Sequence, residues 1–157
     1  MEKSSRHAKI AGDFGEALVL YWLSRSGFEC ARVDHTGIDL IAKRPRSDEL
    51  LGISVKTRSR VPGKEAESVN IGRPEDLAKV EAACVAFQCV PYFAIVVDAA
   101  RRVFVFLVSK THLEHLYPDR TGLISWSMTP GWVKRYLADG QIQSLEFSTA
   151  SESWCAA

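Results

Sequence analysis

Two strand patterns joined by a short connection constrain the fold of this chain more than any other feature. Residues 37–43 and 50–57 are rich in aliphatic and β-branched side chains, which favour strands. The connection between them is six residues long and carries proline, serine and aspartate, which are common in turns. Because so short a connection cannot hold a crossover, the strands are expected to pair as an antiparallel hairpin.

Strand alternation places an acid and a lysine on one face of this hairpin. Alternate side chains point to opposite faces, so Asp39 is expected on one face of the first strand. Its neighbours on the other face are Ile38, Leu40 and Ala42. On the second strand, Ser54, Lys56 and Arg58 share a face. Two registers fit the connection, with Asp39 opposite either Lys56 or Ser54, and both bring acid and lysine together across strands about 5 Å apart.

Apolar periodicity predicts the remaining elements. These are a helix over about 8–26, a strand over 28–33, a helix from Pro74, strands over 90–97 and 103–108, and short helices over 110–116 and 132–137. The apolar stripe of the first helix is expected at Ile10, Phe14, Ala17, Leu18 and Tyr21, and that of the second at Leu77, Val80, Cys84 and Phe87. Residues 58–71 are predicted to form a polar loop, and the residues beyond 137 a polar tail.

Composition limits the class of protein. The chain of 157 residues suits one domain, and no apolar run approaches the roughly 18 residues of a membrane span, so we expect a cytoplasmic protein. Its cysteines lack the CxxC spacing of zinc sites and redox pairs; they are Cys30, Cys84, Cys89 and Cys155. We expect them to be reduced. The i, i+3 pair His112 and His115 is only weak evidence for a metal site, because no carboxylate motif accompanies it.

The hairpin with Asp39 and Lys56 resembles the active-site hairpin of the PD-(D/E)XK nuclease superfamily, which includes restriction endonucleases and Holliday-junction resolvases. The order of helix, three strands, helix and strand matches the αβββαβ core of that superfamily through about residue 97. Residues 12–16, Gly-Asp-Phe-Gly-Glu, resemble the first helix of the resolvase branch. The resemblance implies a restriction-endonuclease-like α/β fold with a mixed central sheet flanked by helices, a core of about 8–98 and a C-terminal extension of about 99–157.

The resemblance also implies a metal site. Asp39, Glu16 and the backbone carbonyl of Val55 match the positions at which the superfamily holds Mg²⁺ or Mn²⁺, and Lys56 matches its catalytic lysine. Mg²⁺ takes about six oxygen ligands and keeps several waters, so one or two carboxylates plus a substrate phosphate can suffice. Gly15 costs about 1 kcal/mol in a helix relative to alanine, which predicts close backbone approach beside Glu16.

Ser54 departs from the pattern, because the superfamily usually has glutamate there. A serine hydroxyl can hydrogen-bond a water but lacks the negative charge that attracts Mg²⁺. Three explanations stay open. The acid has migrated, with Asp34, Glu49 or Glu67 as candidates; the site works with Asp39, Glu16 and Lys56 alone; or catalysis is lost and a nucleic-acid-binding fold remains.

Cations next to the motif suggest a polyanionic partner. Arg58, Arg60 and Lys64 continue from the lysine strand and are candidates for phosphate contact. The first hypothesis is therefore a divalent-metal-dependent DNA endonuclease, acting on branched DNA if the resolvase resemblance extends to substrate, and on that basis a homodimer. The alternative is a catalytically inactive nucleic-acid-binding or assembly module. A third hypothesis is a protein-interaction domain in which Asp39 and Lys56 form only a surface pair worth under about 1 kcal/mol.

Overall fold

Four helices and eight strands make up the part of the chain that the computed structural model describes, residues 3–119 and 122–149. In chain order they are α1 (His7–Arg25), β1 (Glu29–His35), β2 (Ile38–Lys43), β3 (Leu50–Ser59), β4 (Val69–Gly72), α2 (Pro74–Phe87), β5 (Val90–Asp98), β6 (Arg102–Ser109), α3 (Lys110–Leu116), β7 (Ile124–Trp126), α4 (Pro130–Ala138) and β8 (Gln143–Ser148). No helix in these ranges is long and apolar enough to cross a membrane.

The main sheet has six strands in the order β1-β2-β3-β5-β6-β8. Strands β3 and β5 are parallel, and every other neighbouring pair is antiparallel. A parallel pair needs a crossover connection, and α2 lies within it. Strands β4 and β7 form a separate two-stranded sheet. The predicted fold class, a mixed sheet flanked by helices, is confirmed.

Two apolar layers cover the faces of the main sheet. On one face α1 packs through Val19 and Leu23 against a cluster that includes Leu40 and Ile53. On the other face, side chains from α2, α3, α4 and the small sheet form a larger cluster around Trp126. Trp126 is fully buried and stacks on Tyr136 with ring centroids 3.9 Å apart. Trp154 and Cys155 lie outside the described residues.

Three short strands were not predicted. Strands β4 and β7 lie in the predicted polar loop and in the weakly patterned extension, and runs of three or four residues are too short for periodicity to reveal. Strand β8 contradicts the predicted polar tail. It pairs with β6 along its length, but it is an edge strand whose Leu145 is only half-buried, so its sequence is mostly polar.

Most of the predicted stripe of α1 is wrong, although Leu18 packs against the core. Ile10, Phe14 and Tyr21 are 52%, 45% and 57% exposed, while the buried positions are Gly15, Val19 and Leu23. This helix is apolar on both sides, so periodicity alone could not choose the face. In α2 the stripe is buried at Leu77, Val80 and Cys84, but Phe87 is 40% exposed. Ile38 packs in the α2 layer rather than with Leu40 and Ala42, because regular pairing with β3 ends at Leu40.

Candidate nuclease site

The β2–β3 hairpin loses its regular backbone pairing at Asp39, so it is open at the residues of the acid and lysine motif. Regular pairing runs from Lys43 opposite Leu50 to Leu40 opposite Ile53. Continued by one residue, this register sets Asp39 opposite Ser54, which is the second of the two predicted registers. In place of a backbone pair, the Val55 N–H donates to the Asp39 Oδ2 at 2.7 Å. The N–H and C=O of a residue in an extended strand point to the same neighbour, so the Val55 carbonyl also points towards the Asp39 side.

Asp39, Ser54 and Lys56 line one cleft of about 440 Å³, so the acid and the lysine lie in the same cleft. Strand β4 and the first turn of α2 contribute other walls of this cleft, including Asn70 and Asp76. Ser54 is 3% exposed, whereas Asp39 and Lys56 are half-buried. A small hydroxyl therefore occupies the floor of the cleft between an acid and a lysine that remain accessible.

Glu16 approaches Asp39 from the opposite side of the sheet, on α1, and does not line the cleft. Burial and the neighbouring Asp39 carboxylate raise the pKa of Glu16 above its usual value. The helix comes this close because of Gly15, where a Cβ atom would lie 1.9 Å from Thr57 Oγ1 on β3. The predicted close approach at Gly15 is confirmed, and it brings the next residue, Glu16, within electrostatic reach of Asp39.

The candidate metal ligands are all oxygen donors, the type that hard cations prefer. The described residues contain no group of three or more His, Cys, Asp or Glu side chains placed to hold a metal ion. The set at the hairpin is two carboxylates, Glu16 and Asp39, with the Val55 carbonyl. Burial and the nearby Asp39 carboxylate raise the pKa of Glu16, so a bound cation would favour its ionised form, and oxygen-only ligands suit Mg²⁺ or Mn²⁺.

None of the three candidates for a migrated acid lines the cleft: Asp34, Glu49 and Glu67. Glu49 pairs with Arg44, and Glu67 lies 3.3 Å from the Lys64 Nζ.

Besides Asp39, the acid that lines the cleft is Asp76, near the start of α2. A hydrogen bond from the Arg73 N–H and the nearby Lys79 ammonium lower the pKa of Asp76. Lys56 also lies close enough to lower this pKa by its charge. Sequence reasoning missed Asp76 because an acid in the first turn of a helix is common wherever a helix begins. Only the packing of α2 against β3 and β4 places it in the cleft.

The three predicted phosphate-binding cations occupy different environments. Arg58 is exposed and lines the cleft. Arg60 is mostly buried: its guanidinium donates to the carbonyls of Ser68 at 2.6 Å and Glu67 at 3.2 Å, which fixes the loop before β4. Lys64 is exposed at 60% but pairs with Glu67. Of the three, Arg58 is the best placed to contact a phosphate in the cleft.

Arg32, His112 and the cysteines have structural contacts outside the cleft. Arg32 on β1 lies near Glu16 and partly offsets the rise in its pKa. His112 is 7% exposed and its Nε2 lies 2.8 Å from Asp139 Oδ2, while its ring stacks on His115. These contacts give His112 a structural role.

Cys30, Cys84 and Cys89 are free thiols.

Comparison with known proteins supports the architecture. No family model matches the sequence, and no curated protein matches it. Among solved structures, the chain is similar to Hjc, a Holliday junction resolvase from the archaeal hyperthermophile Archaeoglobus fulgidus, with a TM-score of 0.53 and 18% identity. The match covers 73% of this chain and 87% of Hjc. The chain has the restriction-endonuclease-like fold. At this identity the likeness concerns the fold. From α1 to β5, the helices and the strands of the main sheet follow the αβββαβ order, and β4 of the small sheet is inserted before α2.

Proposed function

We propose that this protein is a divalent-metal-dependent endonuclease that hydrolyses phosphodiester bonds of DNA, with branched DNA among its substrates. One observation carries the proposal: Asp39 and Lys56 meet in one cleft at the point where the hairpin of a restriction-endonuclease-like fold opens. The name of the solved structure to which the chain is similar, a Holliday junction resolvase, supports branched DNA as the substrate.

The residues have separate roles in this proposal. Asp39, Glu16 and the Val55 carbonyl would hold Mg²⁺ or Mn²⁺. When bound, the cation neutralises phosphate charge and lowers the pKa of a bound water. Lys56 holds the attacking water or offsets charge on the phosphate, and Ser54 donates a hydrogen bond within the cleft. The Val55 N–H fixes the orientation of the Asp39 carboxylate.

Phosphate contact is assigned first to Arg58 near the end of β3, with Arg60 and Lys64 in the loop that follows. These contacts position DNA without selecting its sequence. Two incisions across a branch need two sites, so we expect a homodimer, which sedimentation equilibrium would measure.

Cleavage assays test the site. Asp39→Asn and Lys56→Met should each lower metal-dependent cleavage of a four-way junction or a forked duplex by about 100-fold or more, because a metal ligand and a positioned cation are lost. The matched controls are Asp48→Asn and Lys43→Met on the same hairpin, whose side chains pair with each other at 3.5 Å and do not line the cleft. Full activity in both cleft variants would refute the assignment.

The second candidate is a nucleic-acid-binding module without catalysis, which Ser54 at the usual position of an acid favours. It predicts salt-sensitive DNA binding with no cleavage in Mg²⁺ or Mn²⁺. Absence of salt-sensitive binding would instead favour a protein-interaction domain.

A further inference from the structure

The small β4–β7 sheet forms one wall of the nuclease cleft and is firmly anchored. Its inward side chains belong to the core: Val69, Ile71, Ile124 and Trp126 are all at most 4% exposed. Between them, Asn70 pairs with Ser125 across the two strands and points outward. Strand β7 comes from the extension, so a segment beyond the αβββαβ core completes the cleft.

Leu123 stands at the edge of this wall. It directly precedes β7, is 44% exposed and lines the same cleft as Asp39 and Lys56. A single exposed leucine is ordinary on a protein surface. Here more than half of the other residues that line the cleft are polar or charged, with Arg58, Asp76 and Lys79 among them. An apolar side chain such as Leu123 can pack against the flat face of a nucleobase, whereas it makes no favourable contact with a phosphate.

Asn70 supplies a polar partner at the same edge. Its Oδ1 accepts a hydrogen bond from Ser125 Oγ at 3.2 Å, which leaves the amide nitrogen to donate. Asn70 is exposed and lines the cleft together with Leu123. An apolar surface next to an amide donor is the combination that binds a base displaced from its stack, since one group covers the ring and the other reads an edge.

We propose that Leu123 and Asn70 form a lip that holds an unpaired base beside the phosphodiester to be cleaved. The inference rests on the proposed function and narrows its substrate class to DNA with an unpaired nucleotide next to the cleaved bond. A base inside continuous duplex stays stacked on its neighbours and does not reach the lip without being unstacked.

Binding measured in EDTA tests the lip separately from catalysis. The probe is a forked duplex with 2-aminopurine at the first unpaired position, compared with a fully paired duplex of equal length. Leu123→Ala should weaken binding of the fork by about 5-fold and leave the paired duplex unchanged, as expected from loss of one base contact. Leu123→Phe should retain fork binding and quench 2-aminopurine more strongly. Asn70→Ala should give a smaller loss of the same kind.

Leu137→Ala is the matched control, because Leu137 is 43% exposed and lines a different groove on α4. It should leave both affinities unchanged, and thermal unfolding should confirm that all variants fold. If Leu123→Ala weakens binding of the fork and of the paired duplex equally, or weakens neither, the proposed role of the lip is wrong. If Lys56→Met still abolishes cleavage in that case, the proposed function stands and only the proposed base-binding role of Leu123 and Asn70 is rejected. If the unmodified protein binds neither DNA, both fail.

Discussion

The two halves of the β2–β3 hairpin differ in what holds them together. In the closed half, Leu40 to Lys43 pair with Leu50 to Ile53 backbone to backbone, and Leu40 and Ile53 are fully buried. In the open half, one carboxylate bonds to one backbone N–H, and the groups around it remain accessible. The closed half therefore fixes the register of the hairpin, while the open half leaves an acid, a lysine and a carbonyl available for chemistry.

The largest effect should come from the closed half. Ile53→Ala removes a fully buried side chain between the sheet and α1, so unfolding free energy should fall by about 2–5 kcal/mol. Chemical denaturation measures this loss. Cleavage per folded molecule should stay near its original value. A loss below about 1 kcal/mol would mean that the closed half does not have the structural role assigned to it.

The next largest effect should come from the contact between α1 and β3, which lies behind the open half of the hairpin. Gly15→Ala should destabilise the protein by about 1–3 kcal/mol, because the new Cβ atom would meet Thr57 Oγ1 at 1.9 Å. It should also weaken Mn²⁺ binding, since displacement of the helix moves Glu16 away from Asp39.

Gly12→Ala is the control for that change. Gly12 lies in the same helix, but an added Cβ there meets nothing within 4 Å, so the substitution should stabilise by up to about 1 kcal/mol through helix propensity. Similar behaviour of the two variants would show that the contact with Thr57 is unimportant.

The smallest effect should come from restoring the usual acid. Ser54→Glu should tighten Mn²⁺ binding by about 10-fold, because it adds a carboxylate between Asp39 and Lys56 in the cleft. Isothermal titration measures the affinity. An unchanged titration would argue that Ser54 does not occupy the acid position.

Asp76→Asn separates the explanations for the missing acid. If Asp76 has taken over that role, its replacement weakens Mn²⁺ binding and Ser54→Glu restores it in the double variant. If Asp76 only caps α2 through its bond to the Arg73 N–H, stability falls by about 0.5–2 kcal/mol and metal affinity is unchanged.

Sequence reasoning worked best where a pattern has one physical meaning. Alternation in β2 and β3 predicted the hairpin and the closeness of Asp39, Ser54 and Lys56, which line one cleft in the structure. It failed for α1, where either side could have been buried. It also missed β4 and β7, whose few residues carry too little pattern, and with them Asn70 and Leu123 at the cleft.

The sequence by itself determined the α/β order, the hairpin and the presence of an acid and a lysine on its two strands, because these depend on neighbours along the chain. Only the tertiary structure decided which register the hairpin takes, that Glu16 lies near Asp39, and that Asp76 and Leu123 share the cleft. These outcomes depend on how α1, α2 and β7 pack against the sheet, and that packing is set by buried contacts between residues far apart in sequence.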